Sequence, residues 1–185
     1  IAIVFSAVFS SVIMGPWMSR SLARRRQVEP VQFLMPETVI PDLEGETREE
    51  VIRELATTVA QQVGKPGTSV LIEHALKREE EFGTAIGSGV AIPHARVEGL
   101  EIPVIAFGRS REGIPWDEPD DLPVRNVFFL ATPLGAEDVH VQVLTSITKA
   151  IVSPESRKRI EEAEDSSALF KILKNIFAKR KTSDE

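Results

Sequence analysis

Two four-residue runs, Val104-Ile105-Ala106-Phe107 and Val127-Phe128-Phe129-Leu130, carry no polar side chain at any position. A strand points successive side chains to opposite faces of its sheet, so a run that is apolar throughout has to be covered on both faces. The runs are short and flanked by turn residues, which predicts buried central strands rather than helices. Such strands need helices above and below, and the remaining apolar pattern supplies them. Val51, Ile52, Leu55, Val59 and Val63 recur at helical spacing behind Thr47-Arg48-Glu49-Glu50, a capping box, and predict a helix over 48–63. Gly64, Pro66 and Gly67 end it. A second helix runs from about Ser69 to Phe82 and turns Val70, Leu71, Ile72, Ala75 and Leu76 inward. Val139, Val143, Leu144, Ile147, Ala150 and Ile151 define a third, whose first turn holds Glu137 and Asp138, acidic residues suited to the positive end of the helix dipole. Ser153-Pro154 caps a fourth, to about Ala163, and Leu169, Ile172, Leu173, Ile176 and Phe177 mark the last. Phe33 to Ile40, broken by Pro36 and followed by Pro41, reads as an edge strand. Residues 109–123, polar and holding Pro115, Pro119 and Pro123, read as a loop with at most a small hairpin. The expectation is an α/β sandwich: a mixed sheet with helices on both faces.

Residues 1–19 contain no ionisable side chain, and Arg20, Arg24, Arg25 and Arg26 follow. That length of mostly apolar chain suffices to cross a bilayer, and arginines are expected at its cytoplasmic end, with Trp17 near the interface. A secretory signal peptide would carry its positive charge before the apolar run, not after it. Residues 1–19 are therefore expected to be the C-terminal end of a longer membrane domain, and the rest a cytoplasmic domain of an inner-membrane protein. Residues 20–31 are then a basic linker, 32–178 the folded domain and 179–185 a polar tail. The chain has no cysteine, which excludes a disulfide framework, a thiol nucleophile and cysteine-type zinc sites. Its formal charge of −6 argues against a nucleic-acid binder.

Three histidines carry the remaining chemistry. His94 follows a proline at the end of Gly87-Ser88-Gly89-Val90-Ala91-Ile92-Pro93. Glycines allow a tight turn and close approach of another molecule, and the proline stiffens the backbone beside the ring. The pattern suits a reacting imidazole; it also suits a strand that ends in an ordinary surface histidine. His140 falls in the first turn of a helix, where free amide groups favour a bound anion and neutral imidazole; a partly buried helix residue is the other reading. His74, beside Glu73 within a helix, reads as structural. If His94 and His140 meet, one neutral nitrogen can attack phosphorus while the other donates a hydrogen bond to the phosphoryl oxygens. Arg78 can offer a planar fork to the same group, or be spent on an ion pair with Glu79 to Glu81. The histidines lack zinc-motif spacing, and neither a Gly-x-Ser-x-Gly elbow nor a Gly-x-Gly-x-x-Gly fingerprint is present.

The stretch Arg78-Glu79-Glu80-Glu81-Phe82-Gly83 through Gly87-Ser88-Gly89-Val90-Ala91-Ile92-Pro93-His94-Ala95 closely resembles the signature of the type 2 IIA domain. This is the fructose/mannitol/nitrogen class of the bacterial phosphoenolpyruvate-dependent phosphotransferase system. The likeness extends from about Phe33 to Ile176. It implies a mixed five-stranded sheet between helices and no metal or organic cofactor. It implies that His94 accepts a phosphoryl group from the histidine-containing phosphocarrier protein, with His140 as second active-site histidine and Arg78 as active-site arginine. Ser10 to Trp17 with the trailing arginines is similar to the last transmembrane helix of a sodium/proton antiporter, which implies control of an attached ion exchanger. A binding module that is never phosphorylated, and a sugar-transport IIA component with an N-terminal anchor, are the alternatives.

Overall fold

The computed structural model describes residues 28–116 and 122–178. The expected transmembrane helix at 1–19, most of the expected linker and the tail at 179–185 lie outside the described residues. Among the described residues no helix is long and apolar enough to cross a membrane.

After a single 3-10 turn at Pro30–Phe33, the chain forms β1 (Leu34–Ile40), α1 (Arg48–Val63), α2 (Thr68–Glu81), β2 (Ala85–Gly87), β3 (Val90–Ala91) and β4 (His94–Val97). The hairpin β5 (Val104–Ile114) and β6 (Val124–Pro133) follows, then α3 (Glu137–Ile151), α4 (Pro154–Glu161) and α5 (Ser166–Ala178). The sheet is mixed, in the order β1-β5-β6-β3-β2, with β4 also on β6. β1 lies parallel to β5 at one edge, β5 and β6 are antiparallel, and β3 and β4 run parallel to β6.

The sheet has six strands where five were expected. The extra one arises from a break in a single line of chain. Val90 faces Asn126 and His94 faces Leu130, so the register against β6 is the same on both sides of Ile92-Pro93. Proline has no N–H to give the ladder, and pairing stops there. It still accepts: the Leu130 N–H donates to the Pro93 carbonyl at 3.0 Å.

The two apolar runs divide by parity. Val104, Ala106, Val127 and Phe129 face a core shared with Val51, Ile52, Leu55 and Leu71 of α1 and α2. Ile105, Phe107, Phe128 and Leu130 face the other core, with Val143 and Ile147 of α3 and Leu169 and Leu173 of α5. Each large side chain so buried contributes about 2–3 kcal/mol. The Thr47 cap forms as the sequence predicts: its hydroxyl accepts from Glu50 N–H at 3.3 Å and the Glu50 carboxylate accepts from Thr47 N–H at 3.0 Å.

Two expectations need correcting. Residues 109–114, read as the start of a loop, are strand, because β5 continues to Ile114, which pairs with Val124. Their polar side chains hid the strand: the Ser110 hydroxyl binds Gly113 N–H at 3.0 Å and Arg109 is buried under backbone carbonyls, so polarity here is locally satisfied. Residues 28–31, read as linker, lie on the domain: Pro30 is buried, and Val28 N–H donates to the Gln142 side chain of α3 at 3.4 Å.

Candidate active site

Gly87, Ser88 and Gly89 all take positive φ, at 84°, 59° and 71°. Glycine does this without cost, and the two glycines let the chain reverse from β2 into β3 within one turn. β3 then runs along β6 to His94. The His94 Nδ1 lies 2.8 Å from the Ile92 carbonyl oxygen. A carbonyl can only accept, so Nδ1 donates and carries the proton, and Nε2 keeps its lone pair.

His140 comes from the first turn of α3, with its N–H donating to the Ala136 carbonyl at 2.9 Å. Its ring lies 5.0 Å from that of His94 between centroids, tilted by 60°. His140 Nδ1 sits 2.9 Å from the Thr132 hydroxyl, which is fully buried on β6. When that hydroxyl donates to Nδ1, the His140 proton stands on Nε2. The pair then holds one free lone pair and one free N–H, as an in-line attack on phosphorus and a supporting hydrogen bond require.

The electrostatics favour neutral rings. Burial pushes His94 below its ordinary value, partly offset by the Ile92 carbonyl, and the charges of Arg78 and Arg96 push the same way as burial. His140 is pushed down to about 4, first by burial, then by the neighbouring His94 and by Arg96 and Arg78. Both imidazoles are therefore uncharged at neutral pH, which is the nucleophilic form. The same arginines favour a dianionic phosphoryl group placed between them.

Arg78 stands in the last turn of α2, donates to the Phe82 carbonyl at 2.6 Å and lies over the Phe82 ring at 5.4 Å. The charge of Arg78 thus bears on both histidines. His74 is exposed on α2, apart from the pair.

Three further residues shape the site without having been singled out by sequence. Arg96 lies two positions after His94 on β4, hence on the same face, and pairs with Glu137 in the first turn of α3. That bond ties the strand of one histidine to the helix of the other. Strand periodicity was the available signal. Thr132 faces Arg96 across the β4–β6 ladder, and only the pairing register reveals it. Glu79 is buried and accepts from Thr84 N–H at 3.1 Å, from the Thr84 hydroxyl, and from the Trp116 indole at 2.8 Å. Thr84 in turn accepts from Ile92 N–H at 3.0 Å, so Glu79 braces the segment whose carbonyl orients His94. Among the described residues no group of three or more His, Asp or Glu side chains is arranged to hold a metal ion.

A three-layer α/β fold, a mixed sheet between two helical layers, with a histidine pair at a strand end defines a class of phosphoryl-carrying domain. Residues 32–176 match the family described as phosphoenolpyruvate-dependent sugar phosphotransferase system, EIIA 2, and the chain belongs to that family. The PTS system fructose-specific EIIABC component of Bacillus subtilis is 34% identical over 143 residues, 77% of this chain and 22% of that protein. The chain therefore spans about a fifth of that relative's length. The nitrogen regulatory protein of Bradyrhizobium diazoefficiens is 32% identical over 141 residues, 76% of this chain and 92% of that protein. Among solved structures, the nitrogen regulatory protein IIA-Ntr of Neisseria meningitidis superposes with a TM-score of 0.72 at 26% identity, covering 77% of this chain and 97% of its own.

Proposed function

We propose that this IIA-type phosphocarrier domain takes a phosphoryl group on Nε2 of His94. The donor is the phosphohistidine of the histidine-containing phosphocarrier protein. The Nε2 lone pair forms the new N–P bond, the donor's N–P bond breaks, and the electron pair returns to the donor imidazole. His140 donates a hydrogen bond to the phosphoryl oxygens, and Arg78 offsets their charge. The observation that carries this reading is the 5.0 Å contact of two rings whose environments keep both neutral. No metal or organic cofactor enters the reaction as written.

The proposal extends to the rest of the chain. The uncharged stretch 1–19 followed by Arg20 and Arg24 to Arg26 supports attachment to a membrane cation/proton antiporter, with the domain on the cytoplasmic face of the inner membrane. Phosphorylation adds negative charge, which shifts docking of the domain onto basic surfaces such as Arg20 to Arg26 and so biases transport. A sugar-transport role, with onward transfer to a IIB partner, is the second reading, favoured by the identity to the fructose-specific relative.

The test incubates the protein with phosphoenolpyruvate, the first enzyme of the system and its histidine phosphocarrier. Acid-labile phosphate should appear in wild type and vanish in His94→Ala. Loss of label in His140→Ala with His94 intact would show that the second histidine is needed for transfer. A folded protein that never takes label would be a binding module instead. Transport that is indifferent to His94→Ala while phosphate status is varied would refute the antiporter coupling.

A further inference from the structure

The β2–β3 turn closes one end of a second cavity, which shares no lining residue with the histidine pair. Its volume is about 250 Å³, and its wall includes Gly89, Arg109, Arg111, Arg125, Asn126 and Arg157. Four arginines line a space of that size. What holds them matters more than their number. Arg125 Nη1 donates to the Arg111 carbonyl at 2.6 Å, and Arg157 Nη1 donates to the carbonyls of Ile151 and Val152 at 3.0 and 2.6 Å. Arg109 gives Nε to the Pro41 carbonyl at 2.9 Å and Nη1 to those of Ile160 and Ala163 at 2.8 Å each. Carbonyls fix these forks in place without cancelling their charge.

Among the described residues two carboxylates face the cluster. Asp42 binds Arg111 Nε at 2.8 Å and stands 3.9 Å from Arg109 Nη2, while Glu161, also in the wall, stands 3.9 Å from Arg125. Counted over the described residues, four positive charges against two negative ones leave a surplus of two. Two buried polar atoms in the same wall have no hydrogen-bond partner, Arg109 Nη2 and Asn126 Oδ1, on side chains only 3% and 7% exposed. A buried donor and a buried acceptor left open together are costly unless something completes them.

We propose that this cavity is a binding site for a compact, hydroxyl-bearing dianion, such as a small phosphomonoester or a hydroxy-dicarboxylate. The dianion balances the surplus charge, its oxygens accept from Arg109 Nη2 and the free edges of Arg111, Arg125 and Arg157, and its hydroxyl donates to Asn126 Oδ1. Burial and the neighbouring Arg111 push Arg109 below its ordinary value, and Asp42 and Glu161 offset this only in part. The size excludes a dinucleotide and suits a metabolite of a few carbon atoms. The site stands at the start of β3, on the line of chain that leads through Pro93 to His94, while the reaction proposed above uses none of its residues.

The experiment titrates isotope-labelled protein with sn-glycerol 3-phosphate in one arm and L-malate in the other, at physiological ionic strength. The amide signals of Ser88, Gly89, Arg125 and Asn126 should move with a dissociation constant below about 1 mM for the better probe, and the arm that binds identifies phosphate or carboxylate as the ligand chemistry. Arg111 and Arg125 are about half exposed, so Arg111→Gln with Arg125→Gln leaves the core intact and should weaken binding at least about tenfold. His94→Gln should leave binding unchanged. The proposal is overturned if neither probe binds, if binding survives the double substitution, or if His94→Gln abolishes it.

Discussion

The depressed basicity of His140 makes a quantitative statement about stability. In the unfolded chain this imidazole titrates near its ordinary value of 6.5; in the folded protein it is held at about 4. Between those values the unfolded state binds a proton that the folded state refuses, so stability falls as pH falls through the window and is constant above it. Each tenfold difference in proton affinity is worth about 1.4 kcal/mol, which caps the effect at about 3 kcal/mol, most of it lost by pH 4.5. His140→Asn is the informative perturbation, because its amide oxygen can accept from Thr132 in place of Nδ1 while no longer titrating. Urea unfolding of both proteins between pH 7.5 and about 4.5 gives the difference, in which other groups largely cancel. Wild type should lose its advantage over His140→Asn across the window, with nearly all of the loss below 6.5. A difference that stays flat to pH 4.5, or a His140 ring proton that titrates near 6.5 by NMR, would refute the reasoning that burial and three neighbouring positive or titratable groups hold this ring neutral.

Two other outcomes follow from the bracing of the site. Arg96→Gln removes a positive charge felt by both rings and the bond to Glu137, so both histidines should titrate at higher pH by NMR and phosphoryl transfer should slow by about tenfold. Glu79→Ala leaves Thr84 N–H and the Trp116 indole without their acceptor, which should cost about 2–4 kcal/mol in urea unfolding and shift Trp116 fluorescence to the red.

The architecture was legible where apolar periodicity was clean. The runs at 104–107 and 127–130 dictated two covered faces, and the capping box at Thr47 fixed a helix start. It was not legible at 109–114, where polar side chains line a strand because carbonyl groups at the end of α4 receive Arg109. The break at Pro93, which turns five lines of chain into six strands, follows from a lost donor that no periodicity registers. At the site, sequence singled out His94, His140 and Arg78 but could not say how far apart they stand. Their separation depends on β6 pairing with β4 and on α3 returning over it, both contacts distant in sequence. Arg96 was visible in principle, two residues along a strand from His94. Glu79 was not, because an acidic residue in a run of three reads as solvated surface, and only the Trp116 and Thr84 contacts show it to be buried.

The chain enters the described domain at Val28 through a bond to Gln142, and the 3-10 turn that follows packs against α3 and α5. Gln142 lies two residues beyond His140 on the same helix. The 3-10 turn also packs on β1 and β5, so a load applied through Val28 is shared between one helical layer and the edge of the sheet. What happens ahead of Val28 is therefore felt, through one side chain, by the helix that carries His140.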